Sequence, residues 1–148
     1  MKRELIYLCD LTHTSQGYAA ELTPYPIACL KSYLLKYSRF SSQFTVELYK
    51  HPQYYIDAFL QGGNPAIVGF SNYMWNLDLS YQIAAEIKSR VPETLIVFGG
   101  PNYPLEDQRR EAWLRKHTAV DVYLTGEAEE SFTNLVDLWS ETHDLHSV

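Results

Sequence analysis

The sequence predicts an α/β fold in three layers: one parallel sheet of five strands, in the order 2-1-3-4-5, between two layers of helices. Three observations lead to it. Five short apolar runs alternate with amphipathic stretches, the pattern of repeated βα units. Three of those runs are apolar almost throughout, as strands covered on both faces must be, whereas the other two alternate, as edge strands can. The chain has 148 residues and 46% hydrophobic content, enough to bury the core of one domain and too little for two ordinary ones.

Each element follows in order. The first run, Leu5 to Cys9, is continuous and therefore central. The loop after it, Asp10 to Thr23, is longer than a βα connection needs, which marks a functional insertion or flap. Ile27, Leu30 and Leu34 then repeat at helical spacing. The second run, Phe44 to Tyr49, sets Phe44, Val46 and Leu48 against Thr45 and Glu47, and a short helix is expected over Tyr54 to Leu60. The third run, Ala66 to Phe70, is continuous, and Leu79, Ile83 and Ile87 mark the helix behind it. Leu95 to Phe98 is again continuous, with a helix expected over Leu105 to His117. The fifth run, Val120 to Leu124, alternates against Asp121 and Thr125, and Phe132, Leu135, Val136 and Trp139 form the last helical stripe.

Placing the alternating runs at the edges gives the flavodoxin-like, Rossmann-like arrangement. Its topological switch point lies between strands one and three, and ligands of such sheets collect outside the strand carboxyl ends. Residues 1–142 read as the domain, and 143–148 as a tail or the start of a linker, with the polar stretch after Trp139 fraying.

Composition excludes several functions. Eighteen acidic against 12 basic residues give a net charge of −6, without the basic excess that holds nucleic-acid backbones. The apolar runs are strand-sized, far below the ~20 residues of a membrane span, and the N-terminus turns acidic too early for a signal peptide. A cytoplasmic protein is expected. Cys9 and Cys29 lack any CxxC or CxxxCxxC spacing and read as reduced core cysteines, with no metal site and no catalytic group of the chain's own.

The chemistry therefore concentrates in the loops after strands three, four and five. Strand three runs into Ser71, Asn72, Tyr73, Met74, Trp75 and Asn76, which place a hydroxyl, two amides and large apolar groups at the mouth of the sheet. That set suits a large, partly apolar ligand that also needs hydrogen bonds. It equally suits a turn in which Ser71 and Asn76 cap the next helix and Trp75 packs beneath it. Strand four ends in Gly99, Gly100, Pro101 and Asn102, where two glycines let backbone approach a ligand or simply make a tight turn. Strand five ends in Thr125, Gly126 and Glu127, and Glu129 and Glu130 follow. Acid there favours a helix N-terminus and argues against a phosphate seat. A receiver-type protein needs an acidic pair after strand one and an aspartate after strand three, and finds Asp10 and Ser71 instead. A flavodoxin needs a dense phosphate cradle after strand one, and a hydrolase needs a Gly-x-Ser-x-Gly elbow; both are lacking.

Ser71-x-Tyr73 followed by Gly99-Gly100 resembles the Ser-x-Leu and Gly-Gly elements of cobalamin-binding domains. VGFSNYMWN, LIVFGGPNYP and VDVYLTGEAEESF, in that order, are similar to segments of the N-terminal domains of cobalamin-dependent radical S-adenosylmethionine (radical SAM) proteins. PYPIACLKSYL resembles the opening helix of such domains, and the likeness spans residues 4 to about 139. It implies that Ser71, Gly99 and Gly100 line a slot for the dimethylbenzimidazole tail of cobalamin, with Gly126 at the rim. The corrin would lie over the strand ends, its lower face near Asn72 to Asn76 and the Asp10 to Thr23 loop.

Two departures qualify that implication. Related mutases carry Asp-x-His-x-x-Gly, whose histidine ligates cobalt from below; here Asp10, His13 and Gly17 stand at stretched spacing, so no histidine ligand is expected. Radical SAM chemistry also needs CxxxCxxC for its 4Fe-4S cluster, which this sequence lacks. The expected function is thus a cobalamin-presenting domain, with the cluster and S-adenosylmethionine held by a separate catalytic barrel, often of a methyltransferase, and expected past Val148. The alternative is a degenerate member of the fold that uses its crevice for substrate or protein recognition without corrin.

Overall fold

A computed structural model describes residues 3–13 and 23–143. The elements are β1 (Glu4–Cys9), α1 (Tyr25–Tyr37), β2 (Phe44–Tyr49), α2 (Pro52–Leu60), β3 (Ile67–Ser71), α3 (Leu77–Arg90), β4 (Leu95–Gly99), α4 (Asp107–Lys116), β5 (Val122–Leu124) and α5 (Glu129–Thr142). The sheet has the order β2-β1-β3-β4-β5 with every neighbouring pair parallel, as the pattern of continuous and alternating runs predicts.

Register places the side chains in rows. On the face covered by α1 and α5, Val46, Ile6, Ile67 and Leu95 stand side by side across four strands. The next row toward the carboxyl ends is Leu48, Leu8, Gly69, Val97 and Val122, and the last is Ser71, Gly99 and Leu124. Ile27 and Leu34 of α1, and Phe132, Leu135 and Val136 of α5, close over these rows. The opposite face carries Tyr7, Cys9, Val68, Phe70, Ile96 and Phe98, packed against Tyr55, Ala84 and Ile87, with Trp113 of α4 at its margin. Burying side chains of this size contributes about 1.5–3 kcal/mol each, and it is what holds both helix layers to the sheet.

Three boundaries differ from the sequence expectation. The helix expected from Leu105 begins at Asp107, because Glu106 is extended (φ −86°, ψ 134°) and Leu105 is left 87% exposed. The fifth strand starts at Val122, because Val120 closes a turn on His117 and the Asp121 carboxylate is diverted to the Ile96 amide and the Lys88 ammonium, both at 2.7 Å. α5 continues through Thr142, past the point where the tail was expected to fray, and ends on His143 in the left-handed region (φ 49°). Cys9 is buried as expected, but Cys29 sits half-buried on α1 and belongs to no core cluster. Among the described residues no helix is long and apolar enough to cross a membrane.

α1 and α5 are tied at their far ends by a buried carboxylate. Asp137 accepts from the Ser38 hydroxyl at 2.5 Å and from the Arg39 amide and Nε at 3.3 and 3.2 Å, while Arg39 Nη1 reaches the exposed Glu141 at 2.6 Å. Asp137→Ala should lower stability by about 1–3 kcal/mol, because it leaves the buried Ser38 hydroxyl without its acceptor. Glu141→Ala, which removes only a surface ion pair, should leave the urea midpoint almost unchanged. Equal losses in the two variants would contradict that division.

Candidate functional site

The row nearest the carboxyl ends is also the smallest. Ser71 and Gly99 stand where larger side chains would otherwise meet α1 and α5, and Gly69 lies one row below. The missing bulk opens a slot of about 380 Å³ between the sheet and the first turns of those two helices. Val97 and Gly69 form its floor, Ile27, Leu30 and Phe132 its helical wall, and Ser71, Tyr73, Gly99 and Gly100 its mouth. Gly126 and Glu127, in the turn that feeds α5, complete the rim. At Gly99 a Cβ would meet nothing nearer than the Leu124 carbonyl oxygen at 3.5 Å, so a side chain there would occupy the slot rather than strike its wall.

Gly100 is required for a different reason. Its φ of +122° is one that L side chains rarely adopt, and a Cβ would lie 2.7 Å from the Asn72 carbonyl oxygen. Asn72 is fully buried and turned away from the slot. Its amide donates to the Gly99 carbonyl at 2.6 Å, and its side-chain Nδ2 donates to the Asn102 carbonyl at 2.8 Å and the Tyr123 hydroxyl at 3.0 Å. Asn102 returns a bond to Asn72 Oδ1 at 3.2 Å, and the Tyr123 hydroxyl donates to the Gly100 carbonyl at 2.9 Å. Tyr103 stacks on Tyr123 with ring centroids 3.8 Å apart. Burial pushes the Tyr123 phenol up to about 12, so this hydroxyl keeps its proton and its donor role across the physiological range. The network locks the β4–α4 turn against the end of β3 and so fixes the backbone at the mouth of the slot.

The β3–α3 loop has its own fastening. Asn76 is fully buried; its Oδ1 accepts from the Tyr73 amide at 2.9 Å and its Nδ2 donates to the Leu11 carbonyl at 3.2 Å. It joins the loop to the end of β1 across the switch point and makes no side-chain cap on α3. Met74 and Trp75 are thereby held outward, 82% and 60% exposed, and the Trp75 ring stacks on Tyr73 with centroids 4.6 Å apart and planes 4° apart. Trp75 thus does not pack beneath the helix. His13 Nε2 donates to the Trp75 carbonyl at 2.8 Å. Burial raises the Asp10 carboxyl above its ordinary value, with Lys50 opposing, and burial, with Asp10 second, raises the Tyr73 phenol. Gly17 and the remainder of the stretched motif lie outside the described residues. Among the described residues no group of three or more His, Cys, Asp or Glu could hold a metal ion.

Of the residues singled out from sequence, Ser71, Tyr73, Gly99, Gly100, Pro101, Gly126 and Glu127 come together around the slot. Asn72 and Asn76 are buried fasteners behind it, and Met74 and Trp75 stand exposed on the neighbouring loop. Sequence reasoning missed Gly69, Ile27, Leu30 and Phe132. The signal for Gly69 was available: it lies two residues before Ser71, hence on the same face, and it is a glycine in an otherwise apolar strand. The other three read only as core spacing, because a wall residue and a core residue follow the same periodicity.

The B12 binding domain family matches residues 18–136, most of the chain and all of the slot-bearing elements. The chain belongs to the B12-binding domain family. A cobalamin-dependent radical SAM methyltransferase, TokK of Streptomyces tokunonensis, is 36% identical over 72 residues, covering 49% of this chain and 10% of that protein. The 2-(S-pantetheinyl)-carbapenam-3-carboxylate methyltransferase of Streptantibioticus cattleyicolor is 34% identical over 73 residues, with the same coverage. The match thus spans about a tenth of the length of these curated relatives. Among solved structures, a cobalamin-binding protein from Desulfitobacterium hafniense superposes with a TM-score of 0.62 at 17% identity, over 93% of this chain and 59% of that one. That likeness establishes the shared fold. The slot of this B12-binding domain fits its family's ligand on its own geometry: it is mostly apolar, it lies at the strand carboxyl ends, and the absence of a side chain at Gly99 keeps it open.

The two adjacent glycines make separable predictions. Gly100→Ala should destabilise the domain by about 1–3 kcal/mol in chemical denaturation, since it forces a strained φ and drives a Cβ onto the Asn72 backbone. Gly99→Ala should be neutral or stabilising by up to about 1 kcal/mol, since its φ is ordinary and the site is open. The reverse ranking would mean that the turn is built differently.

Proposed function

We propose that this domain holds cobalamin with its tail base in the slot between Ser71, Gly99 and Gly100, and presents the corrin to a radical SAM catalytic domain acting in cis or in trans. The single observation that carries the reading is the slot itself: it opens on the α1/α5 face because the last row of the sheet has only Ser71 and Gly99 on β3 and β4. Apolar walls at Ile27, Leu30 and Phe132 suit a flat aromatic base, and Ser71 supplies a hydroxyl at the mouth. Gly126 keeps the rim low, and Glu127 borders it from the turn before α5. The Tyr73–Trp75 pair, held outward by Asn76, is the surface on which the lower face of the macrocycle would rest.

The bound corrinoid would supply a cobalt centre able to carry a carbon group. The residues here bind and orient it, and the dryness of the site depends on what covers the mouth. The two curated relatives are methyltransferases, and methyl transfer is the reaction class we assign to the assembled protein. The iron–sulfur cluster and S-adenosylmethionine belong to the catalytic domain, because Cys9 and Cys29 are the only cysteines of this sequence.

Filling the slot tests the reading. Gly99→Leu should abolish retention of cobalamin after reconstitution with hydroxocobalamin and gel filtration, read from visible absorbance, with the far-ultraviolet circular dichroism unchanged. Full retention by a folded Gly99→Leu protein would place the base elsewhere. Failure of the unmodified protein to retain any corrinoid would favour a recognition module without cofactor.

His13 provides a second test. Its Nε2 is engaged by the Trp75 carbonyl, so His13 would not serve as a ligand to cobalt. The paramagnetic resonance spectrum of the cobalt(II) form should lack axial nitrogen splitting, and His13→Ala should not alter it. A nitrogen triplet that vanishes in His13→Ala would overturn the assignment.

A further inference from the structure

We propose that the α2/α3 face of the domain is where two copies of this chain associate, Leu60 of each entering a groove on the other. On the slot side of the sheet α1 packs along α5, whereas α2 and α3 stand apart and leave a groove of about 440 Å³ between them. Two apolar stripes at i, i+4 spacing face each other across it: Ile56 and Leu60 on α2, and Leu79 and Ile83 on α3. The core residues Tyr55 and Ile87 form its floor.

The helical spacing of Leu79, Ile83 and Ile87 reads as a single core stripe, yet only Ile87 is fully buried. Leu79 and Ile83 are half-buried in the groove wall, and Leu60, on the last turn of α2, is 65% exposed at its rim. A lone exposed leucine is ordinary. Four apolar side chains lining one gap between two helices form a continuous patch, and such patches mark interaction surfaces. The face offers a projecting side chain and a recess together, which a surface must do to pack on itself.

The charges select the partner. The chain carries a net charge of −6, so two copies repel wherever acidic surfaces meet. Glu127, Glu129 and Glu130, at the slot end, make no ion pair among the described residues and would set like charge against like there. The charged residues that line the α2/α3 groove are instead Glu86 and Arg90, one of each sign and paired with each other. A patch with one charge of each sign is complementary to itself, because a two-fold axis lets the carboxylate of each copy turn to the guanidinium of the other. The contact lies on the opposite side of the sheet from the slot, so it leaves both slots free whatever they hold.

Sedimentation equilibrium of the 148-residue chain tests this. At about 100 μM it should form a dimer of twice its 17.1 kDa and dissociate on dilution, as fits a small interface. Leu60→Asp should weaken association at least about tenfold with the melting curve unchanged, because it carries an unpaired carboxylate into an apolar groove. Leu105→Asp, at an equally exposed leucine on the β4–α4 loop, should leave the dimer intact. Glu86→Arg and Arg90→Glu each place two like charges on the patch, so each alone should associate more weakly and an equimolar mixture of the two should regain a dimer. A chain that stays monomeric at about 100 μM would overturn the proposal and leave the groove to a different protein. A dimer that survives Leu60→Asp, one that Leu105→Asp dissociates, or a mixture no tighter than its components would overturn it as well. None of these outcomes bears on cobalamin retention, which is read separately.

Discussion

The two-residue alternation of a β-strand, locked by parallel register, is the constraint on which the site depends. Once Ile67 is buried under α1 and α5, Gly69 and Ser71 must face the same way, and pairing with β4 sets Gly99 beside Ser71. A slip of one residue would turn Val68 and Phe70 toward α1 and α5 and close the slot. The cavity is therefore a consequence of packing: large side chains fill the first rows and anchor the helices, and in the last row Ser71 and Gly99 omit them on β3 and β4, where the slot opens.

The opposite face of the sheet keeps that opening in shape. A gap beside two glycines and a serine would tend to collapse unless the loops bordering it were held from behind. Asn72, Asn102 and Tyr123 hold the β4–α4 turn, and Asn76 holds the β3–α3 loop against Leu11. The polar groups of these loops are thus largely spent on the scaffold, while the slot itself is left mostly apolar. A ligand entering the slot would then meet β3–α3 and β4–α4 loops that are already fastened, which is where preorganised sites gain affinity.

The fold was legible in the sequence because strand length, continuity and alternation each have a direct physical cause. Continuous Ala66 to Phe70 and alternating Phe44 to Tyr49 follow from burial on two faces or one, and they lead to the strand order without further information. The site was legible only where a glycine or hydroxyl stood out in an apolar context, as at Ser71, Gly99, Gly100 and Gly126. The roles of Asn72 and Asn76 were not: an asparagine at a strand end reads the same whether it points to a ligand or into a hydrogen-bond network, and long-range partners such as Tyr123 and Leu11 decide which. Phe132 and Ile27 were hidden for the opposite reason, since a helical stripe continues past the core to the slot without a change of pattern. The extended Glu106 and the diverted Asp121 shortened α4 and β5 through single side-chain and backbone choices that periodicity does not register.

Family membership and geometry meet at one claim, that the tail of the ligand enters the sheet on the α1/α5 face. A crystal structure of the domain with cobalamin tests it most directly. The account predicts density for the dimethylbenzimidazole between Gly99 and Phe132, above Val97, with the corrin outside the carboxyl ends of β3 and β4. A base found coordinated to cobalt, or lodged on the α2/α3 face of the sheet, would contradict it.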